Sequence, residues 1–257
     1  MEILLLFGII CLLALKHLLP KGDIGERKVS RKIRSLITGN SDYHQFDNVI
    51  LKTLDGTTEI DHLLISPFGI FVIEVKNYSG WIFGSANQKR WTQSFRRSHG
   101  LFGMGHKNTF QFQNPLHQNY KHVKAVQTFL GVDPKFIFNV VVFVGDSKFK
   151  TDMPENVMKS HDFLPHIKSH TERILNSEKV GELSQKLKQY TEHTSITQDD
   201  HVRNLEQSIT NPICPRCGIK MVLRVARKGP RAGYEFWGCL NYPSCKASKD
   251  LAQQDQY

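Results

Sequence analysis

Three side chains near the first third of the chain could act together on one ion. Asp61, Glu74 and Lys76 interrupt two apolar runs, Leu63–Ile65 and Ile70–Val75. An unpaired charge inside such segments is costly, so each of the three needs a partner. Two carboxylates converging on one point can hold Mg²⁺ and leave positions for water and phosphate. The Lys76 ammonium would then offset phosphate charge or help deprotonate an attacking water. The alternative is a buried Glu74–Lys76 ion pair with no ion involved, and the residue types leave both readings open. A second reactive set lies near the other end, as Cys214-Pro-Arg-Cys217 and Cys239-x(5)-Cys245. Two cysteine pairs flanking a basic, strand-like segment, Met221–Arg231, fit a tetrahedral zinc site. A segment this small cannot bury enough apolar surface to fold alone. Structural zinc would supply the difference, with apparent binding of about 10–16 kcal/mol in small zinc modules.

The elements that must position these groups follow from the apolar pattern. β-Branched and aromatic residues on both sides of Ser66-Pro67-Phe68-Gly69 predict two adjacent strands joined as a hairpin. Strand residues two apart share a face, so Glu74 and Lys76 point together and Val75 points into the opposite layer. Upstream, Pro20-Lys21-Gly22 is a break, and Asp23 predicts a helix cap with Glu26 in capping-box position. Val29, Ile33, Leu36 and Ile37 supply that helix with its apolar stripe. Phe46–Leu51 predicts a strand, Asp55-Gly56 a tight turn and Trp81–Gly84 a further short strand. Gln88–Trp91 and Arg96-Arg97 mix cations with aromatics, which suits phosphate contact and base stacking, or equally a solvated sheet edge beside one core tryptophan. Gly100–Gly105 lacks the Lys-Ser/Thr of a P-loop and predicts a flexible loop. Asn114-Pro115 opens a helix that buries Val123, Val126, Phe129 and Leu130, and the apolar run Phe136–Val144 predicts a strand covered on both faces. His161–Tyr190 predicts helical cover, and the polar stretch Thr191–Gln207 a linker.

Hydrophobic content of 40% over 257 residues supports one α/β domain and a small appendage. A formal charge of +10 favours an anionic partner, either nucleic acid or an anionic membrane surface. Of the five cysteines one is at position 11 and four follow position 213, a clustering that points to metal rather than disulfides and to a reducing compartment. Ile3–Leu19 is almost continuously apolar, at the short end of the roughly 17–25 residues of a membrane helix. Glu2 leads it, without the basic n-region or small-residue cleavage site of a signal peptide. Cations from Lys16 to Arg34 lie on its C-terminal side, which by the positive-inside rule keeps the remainder in the cytoplasm.

Asp61, followed after twelve residues by Glu74-Val75-Lys76, resembles the PD-(D/E)xK nuclease superfamily. More narrowly, Gly25-Glu26, Ile60-Asp61-His62, the stretch from Ser66 to Gly80 and Trp91 resemble the nuclease-related domain, NERD, over roughly Gly22 to Leu130. The resemblance implies a restriction-endonuclease-like core and metal-dependent nuclease chemistry, with Asp61, Glu74 and Lys76 at catalytic positions. It gives Glu26 a second reading beside capping, as the helix carboxylate that completes the metal site. Asn114-Pro115-x-x-Gln118 matches the same family, which implies a Gln118 close to the active site, against a simple hydrogen bond at the helix start. The cysteine segment, with Phe236-Trp237-Gly238-Cys239 and Asn241-Tyr242-Pro243-Ser244-Cys245, resembles the C-terminal zinc finger of bacterial type I topoisomerases from Pro212 to about Ser248. That implies binding of single-stranded DNA through Arg224, Arg227, Lys228, Arg231, Tyr234, Trp237 and Tyr242, with Phe236 the first candidate to pack the small core instead.

The expected architecture is an α/β fold. A restriction-endonuclease-like mixed sheet flanked by helices spans 21–190, after a transmembrane anchor at 1–20 and before a linker at 191–210 and a zinc ribbon at 211–257. The expected function is a membrane-anchored, Mg²⁺- or Mn²⁺-dependent DNA nuclease at the plasma membrane, facing the cytoplasm, whose ribbon holds DNA by way of structural Zn²⁺. The alternative is a catalytically silent protein that tethers DNA at the membrane.

Overall fold

In the computed structural model, residues 21–38, 42–53, 56–96, 107–210, 212–214 and 216–251 are described. Helix α1 (Lys21–Ile37) precedes strands β1 (His44–Thr53), β2 (Gly56–Ser66) and β3 (Gly69–Asn77). β1 and β2 pair antiparallel, and β2 returns as β3 through a hairpin in which Ser66 faces Gly69. The Ser66 hydroxyl closes this turn, donating to the Gly69 carbonyl at 3.1 Å and accepting from the Phe68 N–H at 3.2 Å. A smaller sheet follows from β4 (Gly80–Phe83), β5 (Arg90–Arg96) and β6 (Lys107–Gln113). Helix α2 (Pro115–Leu130) then crosses back and delivers β7 (Ile137–Val144) parallel to β3. Beyond it, β8 (Ser147–Phe149) joins the smaller sheet beside β4, and β9 (Val157–Lys159) extends the larger one beyond β7. The strand orders are β1-β2-β3-β7-β9 and β6-β5-β4-β8.

Both faces of the larger sheet are covered, which explains the unbroken apolar runs of β3 and β7. Against Leu63, Ile65 and Val72 on one face pack α2, through Val123 and Val126, and α4 (Ser177–His193), through Leu183 and Leu187. Against Leu64, Phe71 and Ile73 on the other pack α1, through Val29 and Ile33, and α3 (Phe163–Ser169), through Phe163 and Ile167. A third cluster joins Trp91 and Ile82 of the smaller sheet to Phe143 of β7. Trp91 is fully buried and donates its indole N–H to the Ser85 carbonyl at 2.9 Å. Of the two readings of Gln88–Trp91, the structure takes the core tryptophan, not base stacking.

Two expectations about the chain's organisation change. The polar stretch expected to be a linker contains helix α5 (Gln198–Thr210), which reaches the large sheet where His201 Nδ1 and the Thr57 hydroxyl hydrogen-bond at 2.7 Å. The expected membrane anchor has no support among the described residues. Residues 3–19 lie outside the described residues, and no described helix is long and apolar enough to cross a membrane. The architecture is therefore corrected to a mixed α/β sheet with flanking helices and a separate three-stranded sheet, β10 (Met221–Val225), β11 (Glu235–Cys239) and β12 (Ser248–Asp250). The membrane partner, the plasma-membrane location and the anchored form of the function lose their support with it.

Candidate active site and cysteine cluster

β3 presents Glu74 and Lys76 to the layer under α2, two residues apart on one face, while Ile73 and Val75 turn toward α1. Asp61 reaches the same place from β2. The last register pair of the two strands is His62 with Ile73, so the next step sets Asp61 opposite Glu74, and Asp61 Oδ2 accepts from the Val75 N–H at 2.7 Å. A slip in side-chain alternation accompanies this. Ile60, Leu63 and Ile65 all join one core layer, as do Phe46 and Val49 on either side of Asn48, whose φ is +53°. An uninterrupted strand would separate them, and local distortions of this kind re-aim a side chain.

Glu74 is 2% exposed. Its Oε1 accepts from Lys76 Nζ at 2.8 Å, and its Oε2 faces His122 Nε2 at 3.2 Å without a well-aligned hydrogen bond. Lys76 Nζ also donates to Gln118 Oε1 at 2.9 Å, while the Gln118 backbone N–H makes the helix-start bond to the Asn114 carbonyl at 3.0 Å. Burial and then the neighbouring Glu74 carboxylate push Asp61 well above the usual range, against the Val75 N–H. Burial opposes ionisation of Glu74 too, but Lys76 and His122 outweigh it and hold this carboxyl below its usual range. Two adjacent carboxyls thus divide the labour, one ionised and one favouring its proton.

Glu26 opens onto a cleft of about 580 Å³ that also reaches Glu59 and Asp61. Helix α1 already runs from Lys21, which puts Asp23 inside its first turn and removes the capping-box role expected of Glu26. Burial raises the Glu26 carboxyl, with His62 opposing and Asp23 and Glu74 adding to the rise. Two contacts set this helix over the site. A Cβ on Gly25 would lie 2.8 Å from Val144 Cγ2 and 2.9 Å from Asn77 Cβ, so only glycine lets the helix seat this closely. His62, fully enclosed, hydrogen-bonds through Nε2 to the Glu26 carbonyl at 3.1 Å and through Nδ1 to Asp47 Oδ1 at 2.7 Å. His62→Ala should therefore cost about 1–3 kcal/mol, the penalty for stranding buried partners. Glu26→Gln should stay within about 0.5 kcal/mol, because the carbonyl and not the carboxyl makes that contact. Urea denaturation of both variants checks the contrast.

The residues not anticipated here are His122, Thr58 and Glu59. His122 lies four residues after Gln118, a spacing that shares a helix face. Its Nδ1 is fixed by the Thr58 hydroxyl at 2.7 Å. Asn114 is fully buried, donates to the Gln88 carbonyl at 2.7 Å and caps α2 by accepting from the Leu116 N–H at 2.9 Å. It thereby aligns the helix that carries Gln118.

In the C-terminal sheet Cys214, Cys217, Cys239 and Cys245 bring their sulfurs within 4.8 Å of one another, as free thiols. Among the described residues this is the one cluster of three or more ligand groups that converges so tightly. Four thiolates in this arrangement are the donor set of a structural zinc site. Met221 and half-buried Trp237 pack around them, so Trp237 takes the core role expected of Phe236. Arg224 lies across the face of Tyr242 at 5.3 Å and donates to the Cys239 carbonyl at 3.3 Å, in space left by Gly238. Arg227, Lys228 and Tyr234 are exposed, and Arg231 approaches Asp250 at 3.5 Å.

Comparison with known proteins agrees with these two units. Residues 21–144 match the nuclease-related domain, and residues 211–254 match the topoisomerase DNA binding C4 zinc finger. Over 108 residues the chain is 44% identical to an uncharacterized protein of Bacillus anthracis, covering 42% of this chain and 45% of that one. The chain thus spans less than half the length of that relative. No solved structure matches the chain. An N-terminal nuclease-related domain and a C-terminal four-cysteine cluster resembling a topoisomerase-type zinc finger are both present.

Proposed function

We propose that this chain is a divalent-metal-dependent phosphodiesterase acting on DNA, with Asp61, Glu74 and Lys76 at its reacting centre. The observation that carries the reading is the convergence of these three groups where β2 lies beside β3, next to a cleft that Asp61 and Glu26 both line. The likeness to PD-(D/E)xK nucleases supports it. The residues suit a divalent cation, because Glu74 Oε2 is buried without a hydrogen-bond partner and Asp61 is held back from ionising beside it. Asp61 and Glu74 would hold the ion, with Glu26 on the cleft side. A bound Mg²⁺ or Mn²⁺ supplies Lewis acidity toward a phosphate oxygen and toward water. Lys76, steadied by Gln118, offers a fixed ammonium where negative charge grows on the phosphate. Hydrolysis then forms one bond from water oxygen to phosphorus and breaks one ester bond, and the leaving oxygen takes up the proton. The ribbon contributes affinity for DNA through Arg227, Lys228 and the exposed rings of Tyr234 and Tyr242.

A second reading, DNA binding without cleavage, draws on the Lys76 ammonium sitting directly on Glu74 at 2.8 Å. The full chain assayed with Mg²⁺ and with Mn²⁺ on linear, circular and single-stranded DNA separates the two. Metal-dependent cleavage is expected, and its absence with every metal and substrate favours the second reading. Asp61→Asn should abolish cleavage while keeping the Val75 contact through the amide oxygen. It should also stabilise the metal-free fold. A carboxyl whose pKa is raised by folding binds its proton more tightly in the native state. Its stabilising share therefore falls as pH climbs from 3.8 through the folded value, and asparagine escapes that loss. The advantage of Asp61→Asn in urea midpoint should widen with pH across this window, and an asparagine variant less stable than the parent at neutral pH contradicts it.

A further inference from the structure

Helix α1 turns three arginines toward the cleft that the chemistry above leaves unused. Arg27, Arg31 and Arg34 are four and three residues apart, which sets them on one stripe, and all three line the cleft that holds Glu26 and Asp61. The stripe runs about 10 Å along the helix axis. If these cations served only to neutralise the carboxylates of the cleft, each would rest on one. Arg34 comes within 3.8 Å of Asp47, with its side chain 71% exposed. Among the described residues the side chains of Arg27 and Arg31 make no ion pair or hydrogen bond, although carboxylates line the same cleft. Their guanidinium groups stand exposed at the mouth of an acidic site.

We propose that Arg27, Arg31 and Arg34 form a track for the phosphodiester backbone of a nucleic-acid strand, which leads one phosphate to Asp61. A guanidinium fork matches a pair of phosphate oxygens. At about 3.4 Å of axis per phosphate along one strand, the stripe spans roughly three phosphates. A cationic rim also answers the problem of drawing a polyanion toward a cluster of carboxylates. The inference rests on reading Asp61 and Glu74 as a phosphodiesterase site, yet it can be measured without cleavage.

The full-length chain, without added Mg²⁺ or Mn²⁺, is titrated with labelled single-stranded DNA, duplex DNA and single-stranded RNA of one length between about 50 and 200 mM salt. The triple variant Arg27→Gln, Arg31→Gln, Arg34→Gln should flatten the plot of log affinity against log salt by about 2 on a single strand or about 3 on a duplex. The polymer on which the change reaches its full expected size identifies the strand that the track holds. A matched triple on α4, Lys179→Gln, Lys186→Gln, Lys188→Gln, should leave the slope as in the parent. If the cleft triple fails to fold, Arg31→Gln alone should lower the slope by about 0.7–0.9. An unchanged slope in a folded cleft variant, or an equal loss in the α4 control, overturns the track. A parent protein that never cleaves but whose slope falls as expected in the cleft variant overturns the phosphodiesterase reading and supports the track.

Discussion

Glu74→Ala should destabilise the metal-free protein by about 3–5 kcal/mol, the penalty for breaking a buried ion pair by removing one member. The substitution strands the Lys76 ammonium and leaves His122 Nε2 facing a void, both in a layer closed by α2. For a chain of this size that loss lowers the melting temperature by about 6–20 °C. Replacing the pair together, Glu74→Leu with Lys76→Met, should recover most of it, because apolar groups of similar volume are often neutral or better at such sites. The comparison isolates the ion pair from the strand. A melting temperature for Glu74→Ala within about 2 °C of the parent, in the absence of metal, contradicts the pairing described here. Both variants should lack cleavage, so stability and activity part company: the double variant folds well and does nothing to DNA.

Cys239→Ser should have the other large effect, confined to the far end of the chain. The isolated protein is expected to carry about one zinc, and the variant to lose it. With the metal goes an apparent binding energy of about 10–16 kcal/mol, against a core made of little more than Met221 and part of Trp237. Residues 212–251 should become protease-sensitive and lose their amide dispersion, while the unfolding transition of the α/β sheet stays in place. Zinc content and limited proteolysis measure both halves. The sulfurs of Cys217 and Cys239 lie 3.3 Å apart, so the competing outcome is specific. A stoichiometric disulfide between them in freshly isolated protein sinks the metal reading.

Much of the site could be read from residue order, for definite reasons. The hairpin was legible because Ser66-Pro67-Phe68-Gly69 separates two strongly apolar strands, and the charged Asp61, Glu74 and Lys76 stand out against them. The cysteines were legible because paired thiols near one chain end have few other uses. Less visible was anything that depends on long-range packing. His122 lies 48 positions after Glu74 in the numbering, and only the docking of α2 brings them together. Helix α5 was read as linker because its composition is polar, yet a few contacts such as His201 with Thr57 hold it to the sheet. Trp237 and Phe236 alternate on one strand, and the choice of which turns inward belongs to the cysteine geometry, not to residue type. The slip at Asn48 left no mark, since one residue at positive φ resembles any other asparagine. Reading the arginines of α1 as the flank of a membrane span hid their shared stripe.

The socket of Gly25 bears on the order in which the candidate site can assemble. Asp61 and Glu74 meet through a hairpin, and hairpins close in about 1–10 μs. Glu26 has to wait. Its helix seats against Val144 and Asn77, at the ends of β7 and β3, and those strands are neighbours only after a parallel crossover through an inserted sheet and a helix. Non-local parallel pairing of this kind belongs to the slow class of folding contacts. The β2–β3 hairpin thus assembles early, while the cleft wall that carries Glu26 and the three arginines arrives late. On the proposed reading, a nascent or partly folded chain holds its carboxylate pair without the surface proposed to guide a strand to it.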